Sequence, residues 1–62
     1  MSDIKVGDQF MVIVKDGENF AIDVERIDGN RVTCQKFVNP EQVFYYSISE
    51  LNDASLFTKV EL

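Results

Sequence analysis

Short runs of β-branched and aromatic residues, separated by turn-forming residues, restrict this chain more than any other feature. Gly, Asn and Asp in Asp16–Asn19 and Asp28–Asn30 tolerate the positive φ that tight hairpins need. No window of twelve residues carries the apolar stripe of an amphipathic helix. The pattern therefore predicts an all-β chain of five strands. We expect these strands at Gln9–Val14, Phe20–Ile27, Arg31–Val38, Val43–Ser47 and Ser55–Leu62.

The break at Asp28–Asn30 also predicts a register. A three-residue loop there, with Gly29 or Asn30 in the left-handed region, pairs Ile27 with Arg31. Apolar side chains then collect on one face of the hairpin, and a one-residue slip would mix them with polar ones. The polar face contains Asp23, Glu25, Thr33 and Gln35. The face predicted for the core contains Phe20, Ile22, Val32 and the facing pair Val24 and Cys34.

Two shorter signals complete the predicted order of elements. Asn39–Gln42 contains the only proline of the chain and predicts a loop, because proline cannot donate to a ladder. Ser47 and Glu50 have the spacing of a capping box, in which each side chain satisfies a backbone N–H of the other residue. The sequence thus predicts one short helical turn before the fifth strand, ended by Asn52 or Asp53.

This order of elements resembles the SH3-like small barrel, which inserts a single 3₁₀ turn between its fourth and fifth strands. Over residues 17–51 the chain is also similar to the Tudor pattern. The matching residues are Gly17, Phe20, Val24, Ile27, Val32, Phe37 and Leu51. The resemblance implies a five-stranded SH3-like or Tudor-like small barrel as a single domain over residues 1–62. Tudor modules that bind methylated side chains have an Asp-Tyr-Gly-Asn-like loop where this chain has Asn39–Gln42, without the cage aromatic or the turn glycine.

The residue types argue against several classes of function. The chain has no histidine, which removes the commonest general base and a common metal ligand. Its single cysteine, Cys34, cannot form an internal disulfide, and its predicted core position makes it a structural thiol. The acidic turn at Asp16–Asn19 lacks the spacing of a calcium loop. We therefore expect no enzyme, no cofactor and no metal.

Charge and hydropathy predict where the chain acts and what it meets. Eleven acidic and six basic residues give a net charge of −5, which favours a basic partner and disfavours nucleic acid. The longest apolar run, Phe10–Val14, is too short to cross a bilayer, and charges interrupt any signal peptide after Met1. We expect a cytoplasmic protein without a membrane partner. The run Phe10–Val14 also predicts either coverage by the fifth strand or a homodimer.

Three consecutive aromatics, Phe44, Tyr45 and Tyr46, provide the strongest lead to a function. Neighbouring residues of a strand point to opposite faces, so at least one ring should face away from the core. Packing under a loop or the fifth strand is one interpretation. The other is an exposed aromatic groove with an acidic rim, which suits a basic or arginine-containing peptide. This predicted partner-binding surface contains Phe44, Tyr45, Tyr46, Phe37, Glu41, Asp23 and Glu25.

These observations support three hypotheses. The first is a small non-catalytic protein-interaction module, an adaptor or inhibitor, that binds a protein partner through the aromatic, acid-rimmed surface. The alternative is an acidic nucleic-acid mimic of phage or mobile-element origin that inhibits a DNA- or RNA-binding enzyme, which the pI near 4.3 favours. The third is stacking of single-stranded nucleic acid, which needs a basic groove. Its candidate cations are Lys15, Arg26, Arg31 and Lys36.

Overall fold

The computed structural model describes residues 4–61. Its elements are β1 (Gln9–Val12), β2 (Phe20–Asp28), β3 (Arg31–Lys36), β4 (Asn39–Ser47), α1 (Ile48–Leu51) and β5 (Phe57–Lys59). The five strands are antiparallel and form one sheet in the order β4-β3-β2-β1-β5. One short helix precedes the last strand, so the predicted all-β class and order of elements are confirmed. The sheet is not closed into a barrel, because no ladder joins β4 to β5 within this part of the chain.

The sheet curls until side chains of its two edge strands meet. Tyr46 of β4 and Phe57 of β5 pack edge to face with ring centroids 4.8 Å apart, although their strands lie at opposite ends of the sheet. Strand twist and bulges allow this curvature. A contact between two rings thus stands where a closed barrel would have a ladder of hydrogen bonds.

The core lies inside the curl, on the face that the alternation of β2 and β3 predicts. Ile22, Val24, Val32 and Cys34 are at most 1% exposed, and Phe20 packs against them. The predicted core face of the hairpin is therefore confirmed. Other elements contribute the remaining buried side chains, which are Phe10, Leu51 and Phe57.

The turn between β2 and β3 is shorter than predicted. Asp28 pairs with Arg31, and Ile27 pairs with Val32 rather than with Arg31. The predicted three-residue loop is therefore wrong. Gly29 is left-handed, with φ 60°, and this agrees with one of the two predicted positions. A glycine adopts this conformation without the steric cost that a side chain would add.

Val24 and Cys34 nevertheless pair as predicted, because β2 contains a bulge. The register passes from Val24–Cys34 to Arg26–Thr33 and leaves Glu25 as the extra residue. The turn has one residue fewer than predicted and β2 has one more, so the two changes cancel. Apolar side chains therefore stay on the core face on both sides of the bulge. The bulge also places two exposed charged residues, Glu25 and Arg26, next to each other.

The proline segment belongs to β4 and not to the predicted loop at Asn39–Gln42. The chain turns at Phe37 and Val38, and β4 begins at Asn39. The loop prediction is wrong in its bounds, but residues 40–42 do leave the β3–β4 ladder as a bulge. Pro40 is tolerated because β4 is an edge strand, where no second neighbour needs its N–H.

The helix begins with the predicted capping box. The hydroxyl of Ser47 accepts from the Glu50 N–H at 3.0 Å, and the Glu50 carboxylate accepts from the Ser47 N–H at 2.8 Å. Asn52 ends the helix, as predicted. Leu51 is buried in the core, so α1 covers the core next to the end of β4.

The apolar run Phe10–Val14 is covered on both sides. Its strand, β1, pairs with β2 and with β5, so the predicted coverage by the fifth strand is confirmed. β1 ends at Val12, earlier than predicted, and β5 contains only the middle of the predicted Ser55–Leu62. Leu62 itself lies outside the described residues. Between residues 4 and 61 no helix is both long and apolar enough to cross a membrane.

Candidate partner-binding surface

The three consecutive aromatics of β4 divide between the two faces of the sheet. Phe44 and Tyr46 are half-buried and pack against the core. Tyr45 points to the opposite face and is 59% exposed. Alternation along the strand therefore sends only the middle ring outward. Of the aromatic cluster predicted as a binding surface, the structure leaves Tyr45 available and places the other two rings in a packing role.

The inward rings belong to a continuous aromatic row. Phe20 contacts Phe44 at 5.7 Å between centroids, and Phe44 contacts Tyr46 at 6.1 Å. Tyr46 then contacts Phe57 at 4.8 Å, and Phe57 contacts Phe10 at 6.4 Å. Aromatic pairs at such separations contribute about 0.5–1.5 kcal/mol each beyond the area that they bury. The row links four strands and holds the sheet in its curl.

The face of β2, β3 and β4 opposite the core, which we call the outer face, presents Tyr45 beside Val43. Val43 is 41% exposed. Across the ladder, Thr33 pairs with Tyr45 and Gln35 pairs with Val43. Asp23 pairs with Gln35 on the other side. Since neighbouring strands lie about 4.8 Å apart, the Asp23 backbone is about 10 Å from that of Val43.

Asp23 and Glu25 form the acidic part of the outer face. One carboxylate oxygen of Asp23 accepts from the side-chain amide of Gln9 at 3.2 Å, which fixes its position above β1 and β2. Glu25 is exposed in the bulge. The structure thus brings these two predicted acids to the same face as Tyr45.

Cys34 lies directly behind this face and is fully buried, which confirms its predicted core position. Burial raises the pKa of its thiol to about 11, and the charges of Asp23 and Glu25 add to the effect. A thiol with this pKa stays protonated at neutral pH and is a poor nucleophile. Its contribution is therefore to packing.

Tyr45 already holds a cation. The guanidinium of Arg31 lies 4.7 Å from the centroid of its ring, and within residues 4–61 Arg31 has no carboxylate at ion-pair distance. These two residues and three neighbours surround a shallow, open cleft of about 290 Å³ at the α1 end of β4. The three neighbours are Asn30, Tyr46 and Ser47.

Two of the other candidate cations, Arg26 and Lys36, have partners of their own. Arg26 is paired with Asp28 at 2.8 Å. Lys36 lies over the ring of Phe20, 4.9 Å from its centroid, at the other end of β3. At about 3.3 Å per residue, the length of β3 separates Lys36 from Arg31 by roughly 16 Å. The arrangement gives no support to the groove that stacking of single-stranded nucleic acid would need.

Two further residues of the predicted surface lie away from Tyr45. Phe37 is 58% exposed in the β3–β4 turn, and Glu41 is exposed in the bulge at the start of β4. Val43 was missing from the predicted surface, although period-two alternation puts it on the same side as Tyr45. Arg31 was not assigned to this surface either, because its contact with Tyr45 depends on the register between β3 and β4.

Comparisons with known proteins give no match: neither a protein-family model, nor a curated protein, nor a solved structure is similar to this chain. Within the described residues, no three His, Cys, Asp or Glu side chains group closely enough to hold a metal ion.

Proposed function

We propose that this protein is a small, non-catalytic interaction module that binds a basic, extended segment of a protein partner on its outer face. The observation that carries the proposal is the position of Tyr45. Its ring is exposed beside Val43 and shares a face with the carboxylates of Asp23 and Glu25.

The spacing of this surface suits an extended segment. Every second side chain of such a segment points the same way, about 6.6 Å apart. If an apolar side chain of the partner packs on Val43 and Tyr45, the partner's side chain two residues later points toward β2. The length of a lysine or arginine side chain covers the remaining distance to Asp23 or Glu25. A partner in which an apolar and a basic residue are two positions apart, so that both side chains point to the same face, meets both requirements.

The energetics divide between the two parts of the surface. Exposed ion pairs contribute about 0.2–1 kcal/mol each, so Asp23 and Glu25 select the partner more than they hold it. Aromatic side chains are common anchors of interfaces, which assigns the larger contribution to Tyr45. The net charge of −5 speeds the encounter with a basic partner. We place this activity in the cytoplasm, where a lone thiol such as Cys34 stays reduced.

A titration with synthetic peptides tests the proposal. The probes are seven-residue peptides in which every second residue is alternately valine or arginine, with serine between them, and matched peptides in which glutamate replaces arginine. We expect ¹⁵N shifts at Tyr45, Val43 and Asp23 with the basic peptide only. Tyr45→Ser should weaken binding at least tenfold. Leu56→Ser, which removes another exposed apolar side chain away from the outer face, is the matched control.

Equal losses in Tyr45→Ser and Leu56→Ser would overturn the proposal, as would equal binding of the two peptides. The double variant Asp23→Asn, Glu25→Gln distinguishes it from the nucleic-acid mimic. For the interaction module, this variant should lower affinity modestly and reduce the dependence on salt. A nucleic-acid mimic would instead bind a nucleic-acid enzyme, tolerate Tyr45→Ser, and lose affinity steeply as salt rises.

A further inference from the structure

The outer edge of β4 contains unpaired backbone groups. The N–H of Ile48 donates to the carbonyl of Asn30 at 3.1 Å, in register with the β3–β4 ladder. Hydrogen-bonded and non-hydrogen-bonded pairs alternate along an antiparallel ladder. Phe44 therefore turns its backbone groups toward β3, whereas Val43 and Tyr45 turn theirs away from it, to the open edge of the sheet.

The rest of this edge is protected. Before Val43, residues 40–42 bulge out of the ladder and include Pro40, and both features discourage strand pairing. After Tyr45, the N–H of Ser47 is taken by the carboxylate of Glu50 at 2.8 Å. The open segment is thus confined to Val43–Tyr45. Its unpaired groups are the N–H and C=O of Val43 and those of Tyr45.

We propose that this segment pairs with the same segment of a second copy of the chain, antiparallel about a two-fold axis at Phe44. In this register Val43 of each copy faces Tyr45 of the other, and every unpaired N–H meets an unpaired carbonyl. The contact is isologous, so each pairing occurs twice. Aromatic and β-branched side chains facing each other across strands form favourable pairs. The dimer would contain one continuous ten-stranded sheet.

The same register brings opposite charges together. Beyond Tyr45, Ser47 of one copy comes beside the bulge that carries Glu41 of the other, and the β3 neighbour of Ser47 is Arg31. Arg31 has no carboxylate at ion-pair distance within its own described chain. The open cleft of about 290 Å³ beside it provides room for the bulge that carries Glu41 of the second copy. This complementarity favours a second copy over a basic peptide at this edge, because a basic peptide would meet Arg31.

The pairing does not rest on the proposed function. Strand addition uses the backbone edge of β4 and leaves Asp23 and Glu25 of both copies accessible, whereas the side chains of Val43 and Tyr45 also contact the second copy on the outer face. The contact is short, and small contacts give weak complexes. We therefore expect a dimer that forms reversibly in the micromolar to millimolar range.

Sedimentation equilibrium on two charge-reversal variants tests the proposal. Each of the two interface pairs joins residue 31 of one copy to residue 41 of the other. In Arg31→Glu, each pair consists of two carboxylates. In Glu41→Arg, each pair consists of two guanidinium groups. Each variant alone should stay at the chain mass of 7.1 kDa where the unchanged protein approaches twice that mass. An equimolar mixture restores opposite charges at both pairs, so it should associate as a heterodimer at least tenfold more tightly than either variant alone. Lys15→Glu, a reversal at an exposed cation outside the edge, should leave the dimer unchanged.

Two results would overturn the proposal: an unchanged protein that stays monomeric at about 1 mM, or a mixture that associates no better than its components. Val43→Pro provides a test that does not depend on charge. It removes an N–H directed at the second copy and none from the β3 ladder, so a folded monomer is expected. If Arg31→Glu fails to fold, a Val43→Pro or Glu41→Arg chain that is folded and still dimeric would refute the β4 pairing. Peptide binding is measured separately on the monomeric variants.

Discussion

The two faces of β4 are formed by one run of four residues, and they have different roles. On the inner face, Phe44 and Tyr46 join the aromatic row that holds the curl. On the outer face, Val43 and Tyr45 remain exposed and face either solvent or a partner. Both faces are apolar and aromatic, so residue type does not distinguish them. Their roles are decided by which side of the sheet each residue takes.

The neighbouring strand β3 decides that side. Phe44 pairs with Cys34 and Tyr46 pairs with Val32, and both partners are fully buried. Residues that face each other across a ladder point to the same side of the sheet. The aromatic residues of β4 that stand opposite buried β3 residues thus become core, and Tyr45, opposite Thr33, does not.

Replacing Tyr46 or Tyr45 by alanine should show the largest difference between the two faces. Tyr46→Ala removes the ring that joins Phe44 to Phe57, and we expect a loss of about 3 kcal/mol in the free energy of unfolding. A chain of this size has only about 3–9 kcal/mol to lose. Tyr45→Ala removes an exposed ring and should cost less than about 1 kcal/mol. Urea unfolding followed by far-UV circular dichroism measures both values.

Losses of similar size in the two variants would contradict the division of β4 into a packing face and an exposed face. Phe57→Ala is a matched check on the inner face, because it removes the other half of the closest ring contact. It should resemble Tyr46→Ala and not Tyr45→Ala.

The elements of this fold are predictable because their signals are local. Glycine in turns, period-two alternation and the Ser47–Glu50 spacing each act within a few residues. The bulge at Glu25 had no such signal, since two adjacent exposed charges, Glu25 and Arg26, are compatible with a regular strand or a bulged one. The loop was therefore predicted one residue too long, although the Val24–Cys34 pair was correct.

The candidate site was predicted only in part, for a related reason. Residues 43–46 are all apolar or aromatic, so the run contains no polar residue to show which side faces solvent. Alternation predicts that the rings divide, but the direction follows from pairing with β3. The contact between Tyr46 and Phe57 depends on the curl of the whole sheet, which no local pattern specifies. Similarly, Arg31 reaches Tyr45 only through the register of two strands.

The stability of the protein at alkaline pH should test whether water reaches the buried side chains of the inner face. Burial raises the pKa of the Cys34 thiol from 9.0 to about 11, so the folded state disfavours the thiolate. The related stability is fully present below pH 9, where both states hold the proton, and falls as the pH rises through about 11. Two pKa units correspond to about 3 kcal/mol. The free energy of unfolding, measured by urea from pH 8 to about pH 11.5, should fall by up to this amount.

Cys34→Ala is the control for this prediction, because it keeps a small apolar side chain and removes the titrating group. Burial also raises the pKa of the Tyr46 phenol in the folded protein, and this acts in both chains. The charge of Cys34 adds to this rise of the Tyr46 pKa, so the difference between the two chains measures the thiol together with its interaction with Tyr46. A difference that stays constant from pH 8 to about pH 11.5 would mean that water reaches Cys34 from the outer face.

We expect the smallest effect on stability at the capping box, where β4 ends and α1 begins. Ser47→Ala removes the hydroxyl that accepts from the Glu50 N–H, and loss of such a cap costs about 1 kcal/mol. Ser49→Ala removes an exposed hydroxyl that contacts the Ser47 hydroxyl at 3.1 Å, but it leaves both hydrogen bonds of the capping box in place, so it should cost a few tenths of that. Thermal unfolding measures both, and amide exchange at Leu51 should quicken only in Ser47→Ala. Equal melting temperatures of the two variants would indicate that the buried side chain of Leu51 holds α1 in place without the capping box.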